Sequence, residues 1–119
     1  MYQKLIIAGY VGNEPSMKYT TGSDPVTTFS VATSGYKDET TWFRVSVWGK
    51  QAESCNQYLH KGSRVLVEGA LKPGPDGNPR VYERKDGTWS ASFEVTASAV
   101  KFLSGKDDDA PATNDEVPF

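Results

Sequence analysis

The sequence is short of the residues that most chemistry requires. It has one cysteine and one histidine in 119 residues. Cys55 alone cannot close a disulfide within the chain, and Cys55 with His60 falls short of the four ligands of a structural zinc site. No paired carboxylates fall on a structured element and no nucleophile has a base beside it, so neither enzymatic activity nor a cofactor is expected. No apolar run approaches the ~18 residues of a membrane-spanning helix, and no membrane association is expected. The opening Met1-Tyr2-Gln3-Lys4 runs straight into a strand pattern without the layout of a signal peptide. A reducing, cytoplasmic location follows as the expectation. There is no internal repeat. Positive charge is missing from the end of the chain: no Lys or Arg follows Lys106, whereas five of the 15 acids do. The formal net charge of −2 therefore hides a split, with ten acids against all 13 Lys and Arg up to residue 106. A mildly basic body with an acidic tail is a different object from an acidic protein.

What is present reads mainly as strands. Lys4–Gly12 is a long apolar run, and Gly9 and Gly12 inside it suggest a bulge or a sharp bend in a strand that coils around a small barrel. Asn13-Glu14-Pro15 breaks it, Ser16–Thr20 is its short continuation, and Thr21–Pro25 is a turn cluster. Val26–Ser34 is the second strand. Val26, Thr28, Ser30 and Ala32 share one face and Thr27, Phe29, Val31 and Thr33 the other, and periodicity does not settle which is buried. From Lys50 to His60 the period changes. Ala52, Cys55, Tyr58 and Leu59 make one helical stripe, Gly62 reads as its C-cap, and Lys61 suits the negative end of the dipole. Cys55 on that stripe is packing. Ser63–Lys72 is a further strand and Pro73–Pro79 is irregular. Arg80–Lys85 and Thr88–Ser90 flank the hairpin dipeptide Asp86-Gly87. Ser92–Val100 is the last strand, with Phe93, Val95, Ala97 and Ala99 alternating against polar positions, and Phe102-Leu103 closes the core.

Between the second strand and the helix lies Thr40–Lys50, on which the functional reading turns. Read with a period of two, it carries Phe43, Val45 and Val47 on one face and Trp42, Arg44, Ser46 and Trp48 on the other. The first is an ordinary core face. On the second, two indoles flank a guanidinium and a hydroxyl. One reading buries both tryptophans between packed sheets. The other makes them a platform on which bases stack while the cation meets phosphate. Arg44 on the same face favours the platform, because an unpaired buried Arg is costly.

Five main strands with a helix between the third and fourth give the order of an all-β OB-fold barrel. That fold takes oligonucleotides on its strand 2–3 face. Several motifs in the same order point to one family. Leu5-Ile6-Ile7-Ala8-Gly9-Tyr10-Val11-Gly12 with Pro15 and Lys18-Tyr19, Phe29–Ser34, Thr41–Val45, Trp48–Glu53, Tyr58–Ser63 and Val67-Glu68-Gly69 together resemble bacterial-type single-stranded DNA-binding proteins, from residue 4 to about 103. The resemblance implies sequence-independent binding of single-stranded DNA in replication, recombination and repair, by a homotetramer. It implies stacking on Trp42 and Trp48, with Tyr36 where another family tryptophan falls. Arg44, Lys50, Lys61 and Lys72 match basic positions that would meet phosphates, and His60 stands where a basic residue is common. Two departures stand out. The stretch Pro73-Gly74-Pro75-Asp76-Gly77 replaces a basic, tryptophan-bearing segment. Trp89 and Tyr82, with Arg80, Arg84 and Lys85, either serve that purpose on the other arm or cover their own loop. Phe43 stands where some members carry a histidine near a subunit contact. The alternative function is a primosome-type OB interaction module that bridges proteins and binds DNA weakly.

Residues 1–103 are thus expected to form the DNA-binding domain and 104–119 a disordered acidic tail. The last five residues, Asp115-Glu116-Val117-Pro118-Phe119, end acids with an aromatic ring and a free carboxylate, a hook for a pocket with a basic rim. They resemble the family's tip that docks replication and repair proteins, and they suggest a bacterial or phage source. Ser104–Asn114 would tether the tip within about 40 Å of the barrel.

Overall fold

The structure, a computed structural model, describes residues 2–103. The expectations on the tail and on the tip Asp115–Phe119 lie outside them. Strand β1 (Leu5–Val11) pairs antiparallel with β5 (Arg64–Leu71). Its last two residues pass to β3 (Pro25–Ser34), with Tyr10 opposite Ala32 and Val11 opposite Val31. β3 pairs antiparallel from Val26 to Ser34 with β4 (Thr40–Trp48). β4 pairs parallel with β8 (Phe93–Phe102), and β8 returns antiparallel to β5. These five strands close on themselves, and β2 (Ser16–Tyr19) flanks the outer half of β3. A short hairpin, β6 (Val81–Glu83) with β7 (Trp89–Ala91), stands as a separate arm before β8. The helix α1 (Lys50–Tyr58) lies between the third and fourth barrel strands. This is the OB architecture expected from the order of elements.

Closure needs glycine where strands cross closely. A Cβ on Gly9 would stand 2.1 Å from the carbonyl oxygen of Ala32, and one on Gly69 would stand 2.2 Å from that of Thr96. Both obstacles are backbone, so neither position has room for a side chain. The expected bend in β1 is the hand-over from β5 to β3.

The core is built from cross-strand neighbours on one face. Thr27, Phe29 and Val31 of β3 stand opposite Val47, Val45 and Phe43 of β4. Since Val45 and Val47 point inward, the register turns Thr27, Phe29 and Val31 inward with them, and all five are buried. That resolves the face of β3 which alternation left open. Ile7, Val11, Val65, Val67 and Val95 complete the barrel interior, and Ala52, Cys55 and Leu59 of the helical segment close one end. Thr27 is the one buried polar side chain among the described residues, and its hydroxyl donates to the Ala52 carbonyl at 2.6 Å, tying helix to barrel. Burial pushes the Cys55 thiol up to about 11, so it packs as an inert apolar group.

Several expectations are corrected. The helix ends at Tyr58: Leu59 caps it in an extended conformation, while its N–H still reaches the Cys55 carbonyl. This geometry drops the Leu59 side chain into the core. Gly62, at φ 96°, belongs to the turn that follows, so Lys61 is not in the last helical turn. Tyr58 leaves the stripe and faces outward, its ring 6.2 Å from that of Phe102. Phe102 is therefore part of a surface ring pair rather than a core plug. The alternation of the last strand is also broken. Opposite Glu68 and Gly69, β8 carries an extra residue, Ser98, and the bulge reverses the parity beyond it. Val95 and Ala97 point in before the bulge and Val100 packs on the core after it, in place of Ala99. Phe93, at the open start of the strand, is 59% exposed.

Candidate nucleic-acid interface

β4 divides its side chains between the barrel and the outside. Val45 and Val47 are buried and Phe43 packs partly on the core. Trp42 and Trp48 are 53% and 45% exposed, and Arg44 is exposed between them. The indoles are thus not enclosed between sheets. Six residues apart on one strand, they are separated by roughly 20 Å at the rise of a β-strand. The strands on either side keep this face open. On β3 the partners of Trp42, Arg44, Ser46 and Trp48 are Ala32, Ser30, Thr28 and Val26, none of them large. On β8, Glu94 stands beside Arg44 and Thr96 beside Ser46.

Two grooves run along this surface. One, about 490 Å³, is lined by Trp42, Arg44, Phe43 and Phe93 together with Asn13 and Ser30. The other, about 460 Å³, is lined by Trp48, Arg44, Lys72, Arg80, Tyr82 and Glu94. Thr28, Arg44 and Ser92 line both, so the grooves join into one trough with Arg44 at its middle. Three cations and one carboxylate on this half give it a net positive character. Among the described residues Arg44 is engaged in no ion pair, unlike Lys4, which pairs with Glu68, and His60, which meets Glu14. The arm leans on the trough through Tyr82, whose hydroxyl lies 3.3 Å from that of Ser92. The Ser92 hydroxyl first, then that of Ser90, holds the Tyr82 phenol below its usual range, with the Arg84 and Arg44 guanidinium charges adding to the effect.

The trough brings together Trp42, Trp48, Tyr82, Arg44, Lys72 and Arg80. It does not include the remaining candidates. Trp89, 67% exposed, and Arg84 lie on the arm, where Arg84 Nη2 donates to Ser90 Oγ at 2.9 Å. Lys85 is in the turn of the same arm, which Asp86 closes by accepting from the Thr88 N–H and hydroxyl. Lys50 opens α1, two residues beyond Trp48. Lys61 is in the turn after the helix, where its N–H donates to Glu14 at 3.0 Å and the neighbouring His60 ring meets the same carboxylate at 3.3 Å. Tyr36 is in a single 3-10 turn between β3 and β4, and its side chain lies outside the described part. Sequence reasoning missed Phe93, whose ring lies 5.6 Å from that of Phe43 at the Trp42 end. Its parity is that of a core residue, and only its place at the strand's first position, where the barrel opens, marks it as a surface aromatic. Among the described residues no cluster of His, Cys, Asp or Glu could hold a metal ion, and no helix is long and apolar enough to cross a membrane.

Comparison with known proteins meets the same residues. The profile of the single-strand binding protein family matches residues 2–103. The chain is 33% identical over 112 residues to "Single-stranded DNA-binding protein 1" of Chlorobaculum tepidum, covering 87% of this chain and 66% of that one. It is 32% identical to a "Single-stranded DNA-binding protein" of Xylella fastidiosa, covering 88% and 65%. A protein of the same name from Clostridium tetani is 37% identical, covering 84% and 69%. The chain thus spans about two thirds of the length of these relatives. With most of its length matched by the profile, the chain belongs to the single-strand binding protein family.

Proposed function

We propose that this protein binds single-stranded DNA without regard to sequence, laying the strand along the trough of β3, β4 and β8. The observation that carries this reading is the pair of half-exposed indoles on one strand, with an uncommitted guanidinium between them. Bases stack on Trp42 and Trp48 and phosphates meet Arg44, Lys72 and Arg80. Aromatic stacking suits any base, because every base has a π-face. Phe93 and Tyr82 extend the aromatic surface at the two ends. Trp89, Arg84, Lys85 and Lys50 lie close enough in sequence to the trough to engage a longer strand. Lys61 and Tyr36 join the path only if the strand continues around the barrel. The names of the relatives support the same ligand.

The finer reading rests on the family resemblance. The protein acts in replication, recombination and repair, assembles as a homotetramer, and recruits partner proteins through Asp115–Phe119. An apolar row on the outer face of β1, Ile6, Ala8 and Tyr10 beside Leu66 of β5, supports self-association. The test is a fluorescence titration with dT oligomers. Trp42→Ala should weaken binding by about 1–3 kcal/mol and reduce tryptophan quenching, and unchanged affinity and quenching would overturn the platform. A chain lacking residues 115–119 should bind dT oligomers as tightly or more tightly, while losing replication and repair proteins in a pull-down. Weak binding by the intact chain would favour the interaction-module reading instead.

A further inference from the structure

We propose that Gly12 is a positioning residue for the Trp42 indole. Its missing side chain lets the ring lie where a base can stack on it. The inference rests on the reading of Trp42 as a stacking platform and adds the residue that sets the ring's position.

A side chain at position 12 would meet the Trp42 indole. A Cβ there would stand 2.3 Å from Trp42 Cζ3 and 2.8 Å from Cη2, with Cε3 next at 3.5 Å. All three belong to the benzo ring of the indole. Gly9 and Gly69 offer the contrast, since their obstacles are carbonyl oxygens of the barrel. Those glycines serve the fold. At Gly12 the obstacle is the far end of a half-exposed side chain. The backbone gives no other reason for glycine, because its φ lies outside the left-handed region.

Nor can the chain at position 12 step aside. The Gly12 N–H donates to the Ser30 carbonyl at 2.9 Å, and the Ser30 N–H donates back to Asn13 Oδ1 at 2.9 Å. One residue earlier, Val11 donates to the Ser63 carbonyl at 2.8 Å and accepts from the Gly62 N–H at 2.7 Å. Residues 11–13 are therefore held from two sides, by β3 and by the turn before β5. With the backbone pinned and Trp42 free at its solvent end, a methyl group at position 12 moves the ring and spares the barrel. Position 12 thus acts on the strand through Trp42 and does not touch it directly.

Two measurements test this. The first is free of DNA. In a chain where Trp48→Phe and Trp89→Phe leave Trp42 as the one tryptophan, Gly12→Ala should shift the emission maximum and lower the anisotropy of Trp42, with the urea midpoint unchanged. An unaltered spectrum would overturn the inference whatever the protein does with DNA. The second is a cycle of dT affinities. Gly12→Ala should cost about three- to ten-fold in the Trp42 chain, a part of what one stacked base contributes. It should cost under about two-fold beside Trp42→Phe, whose smaller ring reaches less far, and nothing beside Trp42→Ala. Equal losses in all three backgrounds would overturn the inference, as would a failure of Gly12→Ala to fold that Trp42→Phe does not restore. A Trp42→Ala chain that binds as tightly as the parent would instead overturn the platform reading, while the emission measurement still decides the role of Gly12.

Discussion

Glu14 shows how one exposed side chain joins distant parts of the chain. Its carboxylate accepts from the Lys61 N–H and meets the His60 ring, joining the β1–β2 turn to the turn after the helix. The Lys61 N–H first, then the His60 ring, holds its carboxyl below the ordinary value of 4.5. A carboxyl whose pKa is lower folded than unfolded stabilises the fold fully above the unfolded value, and that share is lost as pH falls through the folded value. Glu14→Gln keeps an acceptor for Lys61 but removes the charge. Its stability deficit, followed by urea unfolding at stepped pH, should be largest above about pH 4.5 and close below it. A deficit independent of pH would show that the charge plays no part. The clasp also fixes Lys61 and His60 at the end of the barrel rather than in the trough, a placement that family resemblance to a basic position does not convey.

Among the elements, the bulge in β8 depends on the helix. Gln51, in the first turn of α1, donates from Nε2 to the Ser98 carbonyl and accepts at Oε1 from the Val100 N–H, both at 3.0 Å. Ser98 Oγ donates to the Glu68 carbonyl at 3.1 Å across the same irregularity. The polar groups that the extra residue would strand thus find partners in one side-chain amide and one hydroxyl. Gln51→Ala should destabilise the protein by about 1–2 kcal/mol, two hydrogen bonds at the usual net value. Thermal or urea unfolding would measure it, and dT affinity should hold, since Gln51 is outside the trough. A wild-type midpoint would mean that water replaces both bonds. Period-two alternation placed Ala99 inside because the bulge lies in the pairing of β8 with β5, not in the residues of β8 alone.

Across the whole molecule, charge is distributed along a path. Arg44, Lys72 and Arg80 come from β4, the residue after β5 and the segment before β6, and only barrel closure brings them to one trough. For single strands the log–log slope of binding against salt falls by about 0.7 for each phosphate that the protein no longer neutralises. Lys72→Ala should reduce the slope by about that amount. Lys61→Ala should leave it unchanged for oligomers that fill only the trough. Titrations with short dT oligomers over a salt series would check both, and equal slopes for the two variants would mean that the strand runs beyond the trough. The mildly basic body read from the sequence gives the sign of this dependence, and the tertiary placement assigns it to particular cations.

Local pattern along the chain was enough to set the order of elements, the two faces of β4 and the helical stripe through Ala52, Cys55 and Leu59. Alternation and helical spacing record which side chains share a face, and burial of apolar surface follows that record. The family was legible as well, because the matching motifs are short and spaced along the barrel. The buried face of β3 was not, since it follows from register with β4. The inward turn of Val100 follows from a bulge, and the exposure of Phe93 from the open mouth of the barrel. The company of the Trp42–Trp48 face is likewise a product of closure, with Gly12 beneath one indole and Lys72, Arg80 and Tyr82 beside the other. These residues are 30 or more positions from the indoles they meet, apart from Lys72 at 24. Their meeting is set by how the strands close, and no short-range pattern contains that information.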